Sequence, residues 1–340
     1  MYQKPYNSVL YEGGCANDME CTYLQIRKKR DQEIQNVSKK HFLLNQFHDQ
    51  LILQVVNEAI RRVNDEFGPP PSPFCFFMMG SNGRFEQAIW SDQDHGILFL
   101  EKNGKNNQYF LNLGKEISKG LFIAGYPHCD GEVMASNSMW CKSLFDWKKQ
   151  LTSWVTDESW DSIRHLLIFM DARPLYGDGV HLNDLKRNIH DMIHEQHLLK
   201  RILENTMHVK KGLNILGGLL VETHGKYAGS LNLKETAFLP FVNSIRLLAI
   251  KEKILSYSTL SRIKELPETI MSEVEKKFYE DHFFKLLEIR LKYGNHKDYE
   301  SGHYLPIEKL RKHQVKEVKE ILKAGLHLHQ HTRKVIEKGV

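Results

Sequence analysis

The stretch FFMMGSNGRFEQAIWSDQDHGILFL, residues 76–100, decides the fold. Its first apolar run, extended back through Phe74 and Cys75, reads as a buried strand that stops at Gly80-Ser81. A second apolar run, GILFL, reads as another strand, and Asp92 and Asp94 stand at its front. Successive side chains along a strand point to opposite faces, so these two carboxylates share one face. Two bare carboxylates that close together repel, and each raises the proton affinity of the other. A divalent cation between them removes the conflict, and Mg²⁺ is commonly held by one or two carboxylates plus substrate phosphates. A metal pair can activate an attacking hydroxyl and stabilise a leaving oxygen. Gly80 lets backbone approach a ligand closely. A helix start expected around Asn82 to Gln87 offers free N–H groups to phosphate. Arg84 adds a guanidinium suited to phosphate oxygens or to locking Glu86.

Upstream, residues 42–66 carry Leu44, Phe47, Leu51, Val55, Ala59 and Val63 at helical spacing. Gly68 ends this helix, and Pro69, Pro70, Pro71 and Pro73 forbid its continuation. Downstream, 108–124 reads as a helix and GEVMAS, 131–136, as a short strand. From about 142 the pattern is almost wholly helical, with long runs near 184–223, 236–255, 268–292 and 306–336. The expected fold class is α+β. A helical segment, 1–68, precedes a small mixed-sheet domain, 69–178, and an all-α bundle, 179–340, follows.

The chain has 340 residues, 41% hydrophobic and 26% charged, values of a globular protein rather than a disordered one. No apolar run is long enough to span a membrane. The start of the chain lacks a signal-peptide pattern, so a cytoplasmic location is expected. The five cysteines are odd in number and form no CxxC pair, which argues against a disulfide framework or a cysteine zinc site. The net charge of +5 is concentrated near 306–340, where a solvated helix face is the simplest reading. His327, His329 and His331 have metal-like spacing but no acidic or cysteine partner nearby in sequence.

G-S-x-x-R-x-E followed by S-D-Q-D resembles the nucleotidyltransferase superfamily that includes DNA polymerase β. The resemblance is closest to members related to the PII uridylyltransferase and the glutamine synthetase adenylyltransferase. GYPHCDGEVMASNSMW (125–140) and FMDARPLYGD (169–178) look like that family's next motifs. LNLKETAFLPFVNSIRLLAI (231–250) looks like its helical substrate-binding C-terminal domain. The resemblance implies that Asp92 and Asp94 hold two Mg²⁺ ions, with Mn²⁺ an alternative, and that NTP is a substrate. It implies a third carboxylate, for which Glu132 is the first candidate and Asp171 the second. Gly80, Ser81, Arg84 and Ser91 are the expected nucleotide-binding residues, joined by Lys234 and Arg246 from the helical half. Bacterial members often carry CBS or cyclic-nucleotide-binding domains at the N-terminus; residues 1–40 are too short for either.

The expected activity is transfer of UMP or AMP from NTP to an acceptor hydroxyl, most simply on a protein, with release of pyrophosphate. The rival readings are a non-catalytic nucleotide sensor, a small-molecule transferase of the aminoglycoside type, and an RNA end-adding enzyme. Loss of either aspartate would favour the sensor, and both are present. No RNA-binding motif supports a nucleic-acid partner.

Overall fold

A computed structural model describes residues 18–206 and 209–338; the residues before 18 fall outside it, including the start of the expected N-terminal segment and Cys15. The chain opens with α1 (Asp18–Val37) and α2 (His41–Phe67), whose apolar stripe from Leu44 to Val63 is wholly buried. Gly68 caps α2 at φ 84°, a conformation that glycine adopts without a Cβ penalty, and its N–H donates to Asn64 O.

The chain then enters β1 (Phe74–Met78), turns through the single-turn α3 (Gly80–Gly83), and returns in β2 (His95–Phe99). Helix α4 (Gly104–Ile123), β3 (Cys141–Ser143), α5 (Leu144–Asp157), α6 (Trp160–Phe169) and β4 (Arg173–Tyr176) complete this half. The sheet order is β3-β2-β1-β4; β1 runs antiparallel to both β2 and β4, while β3 is parallel to β2. It is therefore a small mixed sheet. Both of its faces are covered, which is why β1 and β2 read as continuous apolar runs rather than alternating ones. Phe76, Met78, Ile97 and Phe99 pack against α1, α2 and α4. Phe77, Met79 and Leu98 face the opposite way, against Trp147, Leu151 and Phe169 of α5 and α6. Trp147 also donates from Nε1 to the carbonyl of Ile97 at 3.0 Å.

The rest is mostly helical: α7 (Val180–Glu195), α8 (Leu199–Thr206), α9 (Leu239–Lys251), α10 (Thr259–Glu265), α11 (Glu273–Tyr293) and α12 (Lys312–Lys338). A two-stranded ribbon, β5 (Ser230–Asn232) with antiparallel β6 (Tyr304–Pro306), interrupts them. A π-helical turn, Lys234–Phe238, leads into α9, with Pro240 at the start of that helix. Phe241, Ile245, Phe283, Leu287 and Leu328 build a separate core here, while Leu247 and Ile250 of α9 join the core beneath the sheet. The two halves thus share buried surface.

Three local expectations need correction. The helix start expected around Asn82 to Gln87 is instead the single turn Gly80–Gly83, and Phe85 at φ 60° turns the chain out of helical geometry. GEVMAS forms turns, not a strand: Glu132 takes φ 53°, which bends the chain out of extended geometry, and its bonds to the β2 end go to His95 alone, Val133 O accepting from His95 N–H at 3.0 Å and Ala135 N–H donating to the ring. The helical run expected over 184–223 breaks at His197 (φ 53°) and stops at Thr206. Beyond it, Asn214 caps a glycine turn, its side chain accepting from Gly218 N–H at 2.7 Å while Leu213 pairs with Leu219.

Candidate active site

The Gly80 turn and the Asp92–Asp94 stretch are stitched together before any ligand is considered. Met79 N–H donates to Asp94 O at 2.8 Å, which sets the end of β1 against the start of β2. Asn82 is fully buried; its amide donates to Asp92 O at 3.0 Å, and its Oδ1 accepts from the Ser91 hydroxyl at 3.0 Å. Arg173 donates to Asn82 O at 3.1 Å. Ser91, expected at the nucleotide, therefore has its hydroxyl engaged in holding Asn82.

Gly80 takes φ 55°, and a Cβ built there would lie 2.2 Å from Asp94 Oδ2. A side chain at 80 meets Asp94 before it meets a phosphate. Gly80→Ala should therefore displace the carboxylate. Divalent-ion affinity is expected to drop roughly ten-fold or more, while left-handed backbone strain of about 1–2 kcal/mol lowers the melting temperature only slightly. Titration calorimetry that found unchanged affinity would contradict this placement.

Three donor atoms, from Asp92, Asp94 and Cys129, all lie within 4.8 Å of one another. Burial raises the proton affinity of Asp92, and a hydrogen bond from Tyr299 opposes the rise. Burial and then the Asp92 charge raise that of Asp94, which also hydrogen-bonds Cys129. Burial and the two aspartates push the Tyr299 hydroxyl far up as well, so it stays protonated beside them. Lys234, exposed at the first position of the π-helical turn, lowers both aspartates electrostatically. Tyr299 and Lys234 come from the helical half, so the carboxylate pair lies where the two halves meet.

The other expected site residues lie elsewhere. Glu132 is exposed on its left-handed turn and outside the converging trio, so it does not supply the expected inward carboxylate. Asp171 is completely buried, and three guanidiniums saturate it. Arg84 Nη1 lies 2.6 Å from Oδ2, Arg246 Nη2 2.6 Å from Oδ2, and Arg262 Nη1 2.9 Å from Oδ1. Burial alone would raise this carboxyl, but Arg246, Arg84 and Arg262 hold it well below the usual range. Arg84 also binds Glu86 at 2.8 Å. Arg84 and Arg246, expected at the phosphates, are thus committed to an internal ion cluster that fastens the helical half to the sheet. Arg173 pairs with Asp49 at 2.7 Å rather than with Asp171.

The histidines resolve simply. His95 is buried, accepts from Ala135 N–H at Nδ1 and so donates from Nε2 to Gln93 Oε1 at 3.1 Å. Burial lowers its pKa to about 3, so it is a neutral packing residue. His327 bonds Tyr279 and His331 bonds Ile270 O, and neither belongs to a converging group of metal-type donors among the described residues. A cavity of about 450 Å³ opens beyond Arg84, lined by Phe42, Phe85, Tyr257 and Phe284 among others. None of the converging donors lines it, and its Lys264 and Lys277 are paired with Glu280 and Asp281.

Two residues that now stand at the site escape sequence reasoning. Cys129 sits inside the quoted GYPHCDGEVMASNSMW stretch, but an isolated cysteine carries no ligand signal. Tyr299 lies in the polar loop after α11, far along the chain, and nothing local points it at Asp92.

The family model described as "Putative nucleotidyltransferase DUF294" matches residues 29–161, and the one described as "Putative nucleotidyltransferase substrate binding domain" matches residues 196–336. No curated protein matches the chain.

Proposed function

We propose, for a chain that belongs to this family of nucleotidyltransferases, that it moves UMP or AMP from an NTP to a hydroxyl of an acceptor protein and releases pyrophosphate. The observation that carries the reading is the convergence of buried Asp92 and half-buried Asp94, where the Asp92 charge raises the cost of ionising Asp94. Such a pair fits a divalent cation, whose charge offsets the repulsion that burial otherwise leaves. Asp92 and Asp94 would hold Mg²⁺ or Mn²⁺, which when bound polarises the phosphates of the NTP.

The residues of the chain divide the remaining work. The Gly80-Ser81 turn presents backbone to the leaving phosphates. Asn82, tied to both Asp92 O and Ser91, keeps that turn in register with the carboxylates. Lys234 adds a positive charge from the helical half, and Tyr299 holds Asp92 from the same side. The acceptor hydroxyl gives up its proton to solvent as its oxygen bonds to the α-phosphorus, the bond from that phosphorus to the bridging oxygen breaks, and pyrophosphate leaves. Catalysis then comes from positioning and charge rather than from a covalent intermediate. In this division the segment 69–178 carries metal and phosphates, the segment 179–340 presents the acceptor, and the N-terminal helices buttress the sheet.

The test is incubation with each α-labelled NTP, Mg²⁺ or Mn²⁺ and a cell extract. Label from one NTP should appear on a discrete protein band. Label on RNA or on small molecules alone would contradict the protein acceptor. Lys234→Met should raise the KM for NTP about ten-fold, the effect of one charge-assisted contact of roughly 1.4 kcal/mol, with little change in melting temperature. An unchanged KM would remove Lys234 from the nucleotide.

A further inference from the structure

We propose that the Cys129 thiolate is the third protein donor of the cation site, which therefore favours softer divalent ions such as Mn²⁺ over Mg²⁺ compared with an all-oxygen set. The inference rests on the reading of Asp92 and Asp94 as cation ligands.

The position of the thiol is built. The loop that bears Cys129 is pinned on both sides of Asp94: Gln93 N–H donates to Pro127 O at 3.1 Å, and His95 N–H donates to Val133 O at 3.0 Å. Within the loop, Glu132 N–H donates to Cys129 O at 2.9 Å. These bonds leave Sγ within 4.8 Å of a carboxylate oxygen from each aspartate. Other carboxylates do not take the same place. Glu132 faces solvent, Asp171 is saturated by three arginines, and the exposed Asp130 is not among the converging atoms. Two hard oxygens and one soft sulfur is a donor set that Mn²⁺, Co²⁺ or Zn²⁺ accepts more readily than Mg²⁺ does. Coordination breaks the S–H bond, releases the proton to solvent and forms a metal–sulfur bond.

The probe is Co²⁺ alone, titrated into the full-length protein. A thiolate bound to Co²⁺ gives an intense near-ultraviolet charge-transfer band. The expected result is that band in the wild type and its loss in Cys129→Ser. Cys129→Asp, which restores a third oxygen, should lower the Mn²⁺-over-Mg²⁺ affinity ratio about ten-fold. Should either variant fail to fold, the wild type still decides: Mn²⁺ should protect Cys129 from N-ethylmaleimide, read by peptide mass. Binding of Co²⁺ with no band, or equal alkylation with and without Mn²⁺, overturns the thiolate donor and leaves nucleotidyl transfer standing. Failure of any divalent ion to bind, with or without NTP, overturns the nucleotidyl-transfer reading itself.

Discussion

Asp92→Asn and Asp94→Asn should each reduce nucleotide transfer about a thousand-fold or more while leaving a folded and somewhat more stable protein. The loss of activity follows from removing one of the two carboxylates that would hold the cation, because charge stabilisation of the transferring phosphate is the main service the site offers. The gain in stability follows from the same geometry. Asp92 is buried and Asp94 half-buried beside it; desolvation works against ionising both, and the Asp92 charge adds to it at Asp94. An amide of nearly the same shape keeps the packing and removes the repulsion. The melting temperature without metal is expected to rise by a few degrees, as about 1 kcal/mol does for a chain of this size. A mutant of either kind that folds and retains strong transfer would remove the aspartates from catalysis. A mutant that unfolds would show instead that the pair is structural.

Asp171→Asn should produce the largest loss of stability, about 3–5 kcal/mol, the usual cost of removing one partner from a buried ion cluster. The reason is the count of charges. Arg84, Arg246 and Arg262 converge on this one carboxylate, and it is completely inaccessible. Without it, only Glu86 remains to offset them through Arg84. The carboxyl is held below its ordinary value of 3.8. Its contribution is therefore fully present above about pH 4 and is lost as pH falls through the folded-state value. Urea unfolding should show wild-type stability collapsing in acid below about pH 4, and a flatter acid limb in Asp171→Asn. Equal urea midpoints at neutral pH would show that the cluster contributes nothing.

How far the sequence carries the argument depends on how local each signal is. The strand pair around Gly80 and Asp94 was legible because apolar runs, a glycine turn and a D-x-D fall within 25 consecutive residues. Helix α2 was legible because an unbroken 3.6-residue stripe ends at Gly68 and four prolines. The short strands β3, β5 and β6 span three residues each, too few for a period-two pattern to emerge. Strand β4 contains Pro174, which sequence reading demotes and which the sheet tolerates because β4 is an edge. Arg84, Arg246 and Asp171 were legible as charged residues near the motifs, but not as one another's partners, since 75 to 87 residues separate them. A still longer separation, 207 residues, hides Tyr299 from Asp92. Glu132 was misjudged for a different reason: its apolar neighbours suggest a strand, and only the left-handed turn at its own Cα turns it outward.

The most direct test of the account is a crystal structure with Mn²⁺ and a non-hydrolysable NTP. The account predicts metal on Asp92 and Asp94, phosphates over the Gly80-Ser81 turn, and Lys234 facing the nucleotide from the helical half. A nucleotide ordered instead in the cavity beside Phe42, Tyr257 and Phe284, with no metal at the aspartates, would contradict it.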